Sequence, residues 1–206
     1  SPGGLMENTV RLVGFDNLCF MAFDAPDLLK AVTDAIGSRL LRYYELCAEL
    51  PEVGAGIVND DWGFNTQTMM MPDDMRKYII PWHARMVDAL HKRNKPAILH
   101  SCGNLTAVWD DIINVCQFDG KHSYEDKIEP VEEAYDHLCG KIAVLGGIDL
   151  DFVCRKTPEE ITERCLAMLK RSEKRGGYAL GTGNSVPEYV PRENYYAMID
   201  CVRNGK

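Results

Sequence analysis

Short apolar segments alternate along the chain with longer segments in which apolar residues recur at helical spacing. Four short runs, at 54–63, 95–104, 142–149 and 176–184, are apolar and end in glycine or polar residues; a shorter, more polar one follows at 118–126. Short runs bounded in this way predict buried strands, and the spacing between them predicts helices. Strands that alternate with helices are typical of parallel βαβ units.

The helical spacing predicts helices over 26–50, 72–93, 106–116, 130–138, 158–171 and 191–202. Pro81 predicts a kink or a restart within the second of these. Residues 1–23 predict a loop followed by one or two short helical turns, broken at Gly14.

Each predicted strand ends in polar residues or glycines: Asp60-Asp61, His100 to Cys102, His122 to Glu125, Asp149, and Thr182 to Asn184. Five such carboxyl ends indicate one mouth lined by βα loops, as in a (β/α)8 barrel. The alternative is an open doubly wound sheet, but no G-x-G-x-x-G follows an early strand. We therefore predict one α/β domain over residues 1–206, a partial (β/α)8 barrel with about five parallel strands.

His100 and Cys102 are the strongest candidates for chemistry. Because side chains alternate along a strand, both residues project to the same side and their donor atoms can converge at its carboxyl end. Imidazole and thiolate are ligands that zinc prefers. A His-x-Cys pair by itself favours the competing interpretation, a buried histidine beside an inert cysteine; the position at a strand end and the resemblance described below favour metal binding instead.

Composition narrows the function classes. The formal net charge of −8 and the lack of a basic run make nucleic acid an unexpected partner, and no apolar run is long enough to span a bilayer. The amino end lacks the parts of a signal peptide. The eight cysteines form no C-x-x-C pair, so we expect reduced thiols in a cytoplasmic protein.

Four of the strand ends have distinctive sequences: His100-Ser101-Cys102-Gly103-Asn104, His122-Ser123-Tyr124-Glu125-Asp126, Gly146-Gly147-Ile148-Asp149 and Gly181-Thr182-Gly183-Asn184-Ser185-Val186-Pro187. In these segments the chain resembles the uroporphyrinogen decarboxylase superfamily, which also contains zinc-dependent, corrinoid-linked methyltransferases. The resemblance runs over roughly residues 3–203 and implies the carboxyl-terminal part of the family's barrel. Because five strands cannot close a barrel, we expect a partner or another copy to cover the exposed edges.

The resemblance implies two different activities. In the decarboxylases the last strand carries a histidine where this chain has Thr182, whereas the methyltransferases have a zinc-binding cysteine there and a His-x-Cys like His100 and Cys102. We favour a zinc-dependent methyltransferase-like enzyme that moves a methyl group between a corrinoid protein and a thiol or similar small-molecule acceptor. The alternatives are uroporphyrinogen III decarboxylase, a lyase, and a non-catalytic fragment or degenerate barrel that acts as a binding partner. We also expect that the chain can form a homo-oligomer.

With Thr182 at that position, the third zinc ligand is open. Candidates are Glu125, His122, Asp60 and Asp61, and we prefer Glu125 because its strand is the next one along the chain. The predicted metal ligands are thus His100, Cys102 and Glu125, and the predicted catalytic carboxylates are Asp61 and Glu125. The residues predicted to contact substrate are Trp62, His122, Tyr124, Asp149 and Asn184. We expect His83 and His91 to lie on the outer face of a helix, away from this site.

Overall fold

Helices and strands alternate along residues 2–204, the part of the chain that the computed structural model describes. The elements are α1 (Leu5–Val13), α2 (Phe15–Asp24), α3 (Pro26–Glu49), β1 (Gly56–Asn59), α4 (Pro72–Tyr78), α5 (Ile80–His91), β2 (Ala97–His100), β3 (Gly120–His122), α6 (Val131–Leu138), β4 (Ala143–Leu145), α7 (Leu150–Arg155), α8 (Pro158–Ser172), β5 (Tyr178–Ala179) and α9 (Arg192–Asn204). The chain divides between Asp119 and Gly120 into two compact units, here the first unit (2–119) and the second unit (120–204).

The strands pair in parallel within each unit. In the first unit β1 pairs with β2, from Gly56 opposite Ala97 to Asn59 opposite His100. In the second unit β4 pairs with β3 on one side and with β5 on the other. The prediction of five parallel strands is confirmed. Among the described residues, no helix combines the length and the apolar character that a bilayer-spanning segment needs.

Most predicted helices are present, and three differences have a local cause. The second predicted helix is two helices, α4 and α5, separated at Ile79, so Pro81 lies in the first turn of a new helix, where its missing N–H costs nothing. Residues 106–116 form a 3₁₀ turn and a π-helical turn rather than one regular α-helix. The short helix α7, which the periodicity did not predict, begins directly after its N-cap, Asp149.

The prediction for residues 1–23 was wrong in its extent. They form two regular helices, α1 and α2, with the predicted break at Gly14, whose φ is +83°. Although α1 is amphipathic, both α1 and α2 are short, and short helices in isolation have only marginal stability in water. Contacts distant in sequence stabilise the first of them, and local periodicity does not reveal such contacts.

Asp60 supplies those contacts. Its fully buried carboxylate accepts hydrogen bonds from the backbone N–H groups of Met6 (2.9 Å) and Glu7 (3.1 Å), in the first turn of α1. The same carboxylate accepts the Trp62 indole N–H at 2.9 Å and lies 3.2 Å from His83 Nε2. Helix N-termini bind carboxylates because their first N–H groups have no intrahelical partner. Asp60 therefore joins α1 to the end of β1.

The expectation that His83 faces outward was wrong. His83 is fully buried, its ring packs edge-on against Trp62 at 4.8 Å between centroids, and Nδ1 donates to the Ile79 carbonyl. Helical spacing gave no sign of this because the partner, Asp60, lies on another element. His91, in contrast, is partly exposed, as expected, and its Nε2 lies 2.8 Å from the Asp119 carboxylate.

We expect Asp60→Ala to lower the free energy of unfolding by about 3 kcal/mol, because it leaves two backbone N–H groups and an indole N–H buried without an acceptor. The neighbouring substitution Asp61→Ala removes a half-buried carboxylate that accepts one backbone N–H, so its cost should stay within about 1 kcal/mol. Urea unfolding of both variants measures the difference. Equal losses would show that Asp60 does not anchor α1.

Candidate metal centre

The pairing of β1 and β2 continues beyond the ends of the two strands. Asp60 N donates to the His100 carbonyl at 2.9 Å, and Trp62 N donates to the Ser101 hydroxyl at 3.1 Å. One step further, Gly63 N donates to the Cys102 carbonyl at 3.2 Å. The two carboxyl-terminal extensions, 60–64 and 101–104, therefore run side by side.

Gly103 permits this close approach. Its φ is +86°, and a Cβ atom added to it would lie 2.1 Å from the Gly63 carbonyl oxygen. Backbone at that distance cannot give way, so only glycine fits there. The close contact between the two extensions directly after Cys102 therefore requires a glycine at position 103.

Asp61, His100 and Cys102 meet at this point. One potential ligand atom from each residue, a carboxylate oxygen, an imidazole nitrogen and a thiol sulfur, lies within 4.8 Å of the other two, and all three residues are half-buried. The Cys102 backbone N–H donates to Asp61 Oδ1 at 2.8 Å, which fixes the carboxylate beside the pair. Three such ligands with access from solvent fit a zinc ion, whose catalytic sites use three protein ligands and keep a fourth position open.

Asp60 and Trp62 lie elsewhere although they are adjacent in sequence to Asp61. Both are fully buried in the core of the first unit, and their polar atoms bond to each other. Their geometry gives Asp60 a structural role, whereas substrate contact by Trp62 stays a prediction. Alternation along the chain places Asp60 inward and Asp61 toward the half-exposed group.

In the second unit, four of the predicted site residues line one cavity of about 250 Å³: Tyr124, Glu125, Asp149 and Asn184. His122 lies nearby in the chain, and its Nε2 donates to the Thr182 carbonyl at 3.0 Å, so this nitrogen carries the proton. The Thr182 hydroxyl donates to the Asn184 carbonyl at 2.7 Å. Thr182 thus holds the turn that carries Asn184.

Tyr124 and Asp149 have identifiable local roles. Burial raises the pKa of Tyr124, so its phenol stays neutral, and the Lys121 ammonium lies 4.2 Å from the centre of its ring. The Asp149 carboxylate accepts the backbone N–H groups of Asp151 and Phe152 as the N-cap of α7, and that of Asp126 at 2.9 Å. These bonds order the loop that carries Glu125; the roles of these residues toward substrate stay predictions.

Arg164 is a residue that the sequence pattern did not identify. Its guanidinium, largely buried and 4.7 Å from the Phe152 ring, donates two hydrogen bonds to the Asp126 carboxylate and two to that of Glu132, at 2.7–2.9 Å. Burial alone would raise the pKa of Glu132, but the Arg164 hydrogen bond, a backbone hydrogen bond and the charges of Arg164 and Arg171 together hold that pKa below its ordinary value. Because Asp126 follows Glu125 directly, this network fixes the position of Glu125. Arg164 lies 32 residues after Glu132 and 38 residues after Asp126, so local sequence periodicity could not reveal this network.

We expect Arg164→Met to cost about 3 kcal/mol of stability at pH 7, because it leaves two half-buried carboxylates without their partner. The folded-state pKa of Glu132 is depressed, so its contribution is present above the ordinary value of 4.5 and is lost as the pH falls through the folded-state value. The difference between wild type and variant should therefore shrink below pH 4.5.

Arg155→Met is the matched control, since Arg155 forms an exposed pair with Asp151 four residues earlier in α7. Its cost should stay below about 0.5 kcal/mol at every pH. Chemical denaturation from pH 3 to 7 measures both variants. A pH-independent cost for Arg164→Met would argue against the ion-pair network.

Comparison with known proteins places this fold and site in a family. The sequence profile described as uroporphyrinogen decarboxylase (URO-D) matches residues 3–205. The chain therefore belongs to the uroporphyrinogen decarboxylase family. The sequence-based recognition and fold class are confirmed.

The relatives include both activities of the superfamily. Uroporphyrinogen decarboxylase of Geobacter sulfurreducens is 26% identical over 90% of this chain and 52% of its own length. Methylcobamide:CoM methyltransferase MtbA of Methanosarcina acetivorans is 25% identical over 63% of this chain and 36% of its own length. The chain spans about half the length of the curated decarboxylases that it matches.

A solved structure supports the fold. A methyltransferase from Methanosarcina mazei superposes with a TM-score of 0.79, covering 98% of this chain and 58% of that protein, at 19% identity. At that identity the match establishes the fold class, a partial barrel, and not the reaction.

Proposed function

We propose that this chain is a zinc-dependent methyltransferase-like member of the family, which moves a methyl group between a corrinoid protein and a thiol or a similar small-molecule acceptor. The observation that carries the proposal is the group formed by Asp61, His100 and Cys102. An oxygen, a nitrogen and a sulfur donor within 4.8 Å of one another, at strand ends, are the ligand types of catalytic zinc sites.

Asp61 replaces Glu125 as the preferred third ligand in this proposal. Asp61 Oδ1 is held by the Cys102 backbone N–H, so the carboxylate is positioned before a metal binds. Glu125 stays a candidate catalytic carboxylate. Zinc, when bound, supplies Lewis acidity that favours the thiolate form of a thiol acceptor.

The chain's own residues would prepare the acceptor for this step. The half-exposed position of the three ligands leaves room for a small molecule to reach the group from solvent. The proton that the thiol releases would pass to a general base that is not itself a zinc ligand. The corrinoid partner is inferred from relatives such as MtbA, whose name specifies a methylcobamide.

Uroporphyrinogen decarboxylation is the second candidate, favoured by the decarboxylases among the relatives. Thr182 stands at the position where the resemblance implies a decarboxylase histidine, and its hydroxyl is bonded to the Asn184 carbonyl. A hydroxyl carries no charge near pH 7 and cannot replace an imidazolium there. We therefore rank this activity, and a non-catalytic binding role, below methyl transfer.

We expect the wild-type chain to bind one zinc ion, and Cys102→Ser to weaken zinc binding by about 100-fold or more, because it removes a thiolate ligand. Asp61→Asn should weaken binding by about 10–100-fold, whereas Glu125→Gln should leave it within about threefold. Competition titration of the metal-free proteins against a chromophoric zinc chelator measures all three. Cys154→Ser, at a half-buried cysteine outside the group, controls for loss of a thiol elsewhere.

The opposite ranking, with Glu125→Gln weakening zinc more than Asp61→Asn, would return the third ligand to Glu125. No zinc binding by wild type would exclude the zinc-dependent mechanism. The activity is tested by zinc-dependent methylation of a thiol with methylcobalamin as the donor. Decarboxylation of uroporphyrinogen III by the same preparation, without thiol methylation, would establish the second candidate instead.

A further inference from the structure

A second cavity, of about 570 Å³, lies in the first unit and contains none of the candidate zinc ligands. Cys19 and Ala22 of α2 form one wall, and Met69, Met70 and Met71 with Ala107 contribute to the others; we call it the Met cavity. The methionines lie in the loop after β1, and Ala107 lies in the 3₁₀ turn that follows β2. Loops at the carboxyl ends of parallel strands are where α/β proteins bind ligands, and this volume is typical of a small-molecule pocket.

Two polar side chains of the Met cavity are bonded within its own walls. The Thr68 hydroxyl donates to the Met70 carbonyl at 2.6 Å, and the Asn104 side-chain oxygen accepts the Thr106 backbone N–H at 3.0 Å. Thioether and methyl groups provide most of the remaining surface, and methionine side chains adapt to ligands of different shape. The walls thus favour an apolar ligand.

The charge of the cavity walls also restricts which ligands can bind. Among the described residues that line the Met cavity, Asp74 carries the one formal charge, and none is Lys, Arg or His. Arg76 donates to the carbonyl of the lining residue Ala107, but its guanidinium also donates to the carboxylates of Asp73 and Asp111. An anion would therefore meet a carboxylate without a compensating cation, and any ion would lose hydration.

Exposed apolar surface on helix α2 favours the binding of a ligand in the cavity. The helix has seven apolar residues in ten, yet only Leu18 is buried, whereas Phe20 and Phe23 are 66% and 88% exposed. A ligand beneath Cys19 and Ala22 would remove further apolar surface of α2 from water, which is favourable at about 25 cal/mol per Å².

We propose that the Met cavity binds an uncharged aliphatic small molecule, or the uncharged aliphatic part of a larger one, and discriminates against anions. This inference goes beyond the proposed function, because it requires neither zinc nor methyl transfer. It assigns the ligand class from the lining chemistry: methionine and alanine surfaces, the bonded side chains of Thr68 and Asn104, and a single carboxylate.

The test uses three probes of nearly the same shape: 3,3-dimethylbutan-1-ol, which is neutral, 3,3-dimethylbutanoate and choline. The full chain, labelled with ¹³C at the methionine methyl groups, is titrated with each probe and followed by NMR. Met→Leu variants assign the signals of Met69, Met70 and Met71 among the nine methionines. We expect the alcohol to shift these signals with a Kd on the order of millimolar. The butanoate should bind at least about tenfold more weakly, and choline should not bind more tightly than the alcohol.

Two substitutions sharpen the test. Ala107→Trp fills the cavity from an exposed position and should abolish the shifts, whereas Ala35→Trp, on the exposed side of α3, should not. Asp74→Asn should improve butanoate binding about three- to fivefold, which is the size of an exposed charge interaction. It should leave alcohol binding unchanged.

The same titration on Cys102→Ser separates this inference from the proposed function, because the alcohol should bind equally well when the zinc site is lost. Equal binding of butanoate and alcohol, or tighter binding of choline, would overturn the assigned ligand class. Absence of any shift with the alcohol, or unchanged shifts in Ala107→Trp, would overturn the site itself.

Discussion

The parallel pairing of β1 with β2 is the constraint on which the candidate site depends. Its register places Asn59 opposite His100, and backbone hydrogen bonds continue past the strands to Gly63 and Cys102. Because the register is fixed, Asp61 lies beside both members of the His-x-Cys pair. A shift of one residue would turn Asp61 away and bring Asp60 toward the ligands.

The two adjacent aspartates show how one strand end serves two purposes. Asp60 is fully buried. Its carboxylate accepts hydrogen bonds from the first turn of α1 and from the Trp62 indole, and it lies 3.2 Å from His83 Nε2. Asp61 is half-buried and accepts the Cys102 N–H. The packing that Asp60 provides and the chemistry proposed for Asp61 are thus linked through one peptide bond, so the stability of α1 and the geometry of the candidate metal centre depend on the same segment.

The sequence predicted the strand–helix alternation, the parallel strands and the convergence of His100 and Cys102, because these follow from local periodicity and from strand geometry. It did not identify the buried position of His83 or the Arg164 network, since both depend on partners more than twenty residues away. The choice between Asp61 and Glu125 could not be made from spacing. Both follow strands, and only the observed register brings Asp61 to the pair.

Family membership restricts the chemistry without deciding it. Decarboxylases and a methylcobamide-dependent methyltransferase match this chain at similar identity, and the chain spans about half of the decarboxylases' length. The distinguishing features are therefore its own residues: a nitrogen, sulfur and oxygen donor set in the first unit, and a threonine whose hydroxyl is bonded within its loop in the second.

X-ray absorption at the zinc edge tests the central claim most directly, because it counts the ligand types around the metal. The account predicts one sulfur at about 2.3 Å, with nitrogen and oxygen ligands including one imidazole at about 2.0–2.2 Å. The sulfur contribution should vanish in Cys102→Ser. A spectrum with two sulfurs, or with none in the wild-type protein, would contradict a zinc site formed by Asp61, His100 and Cys102.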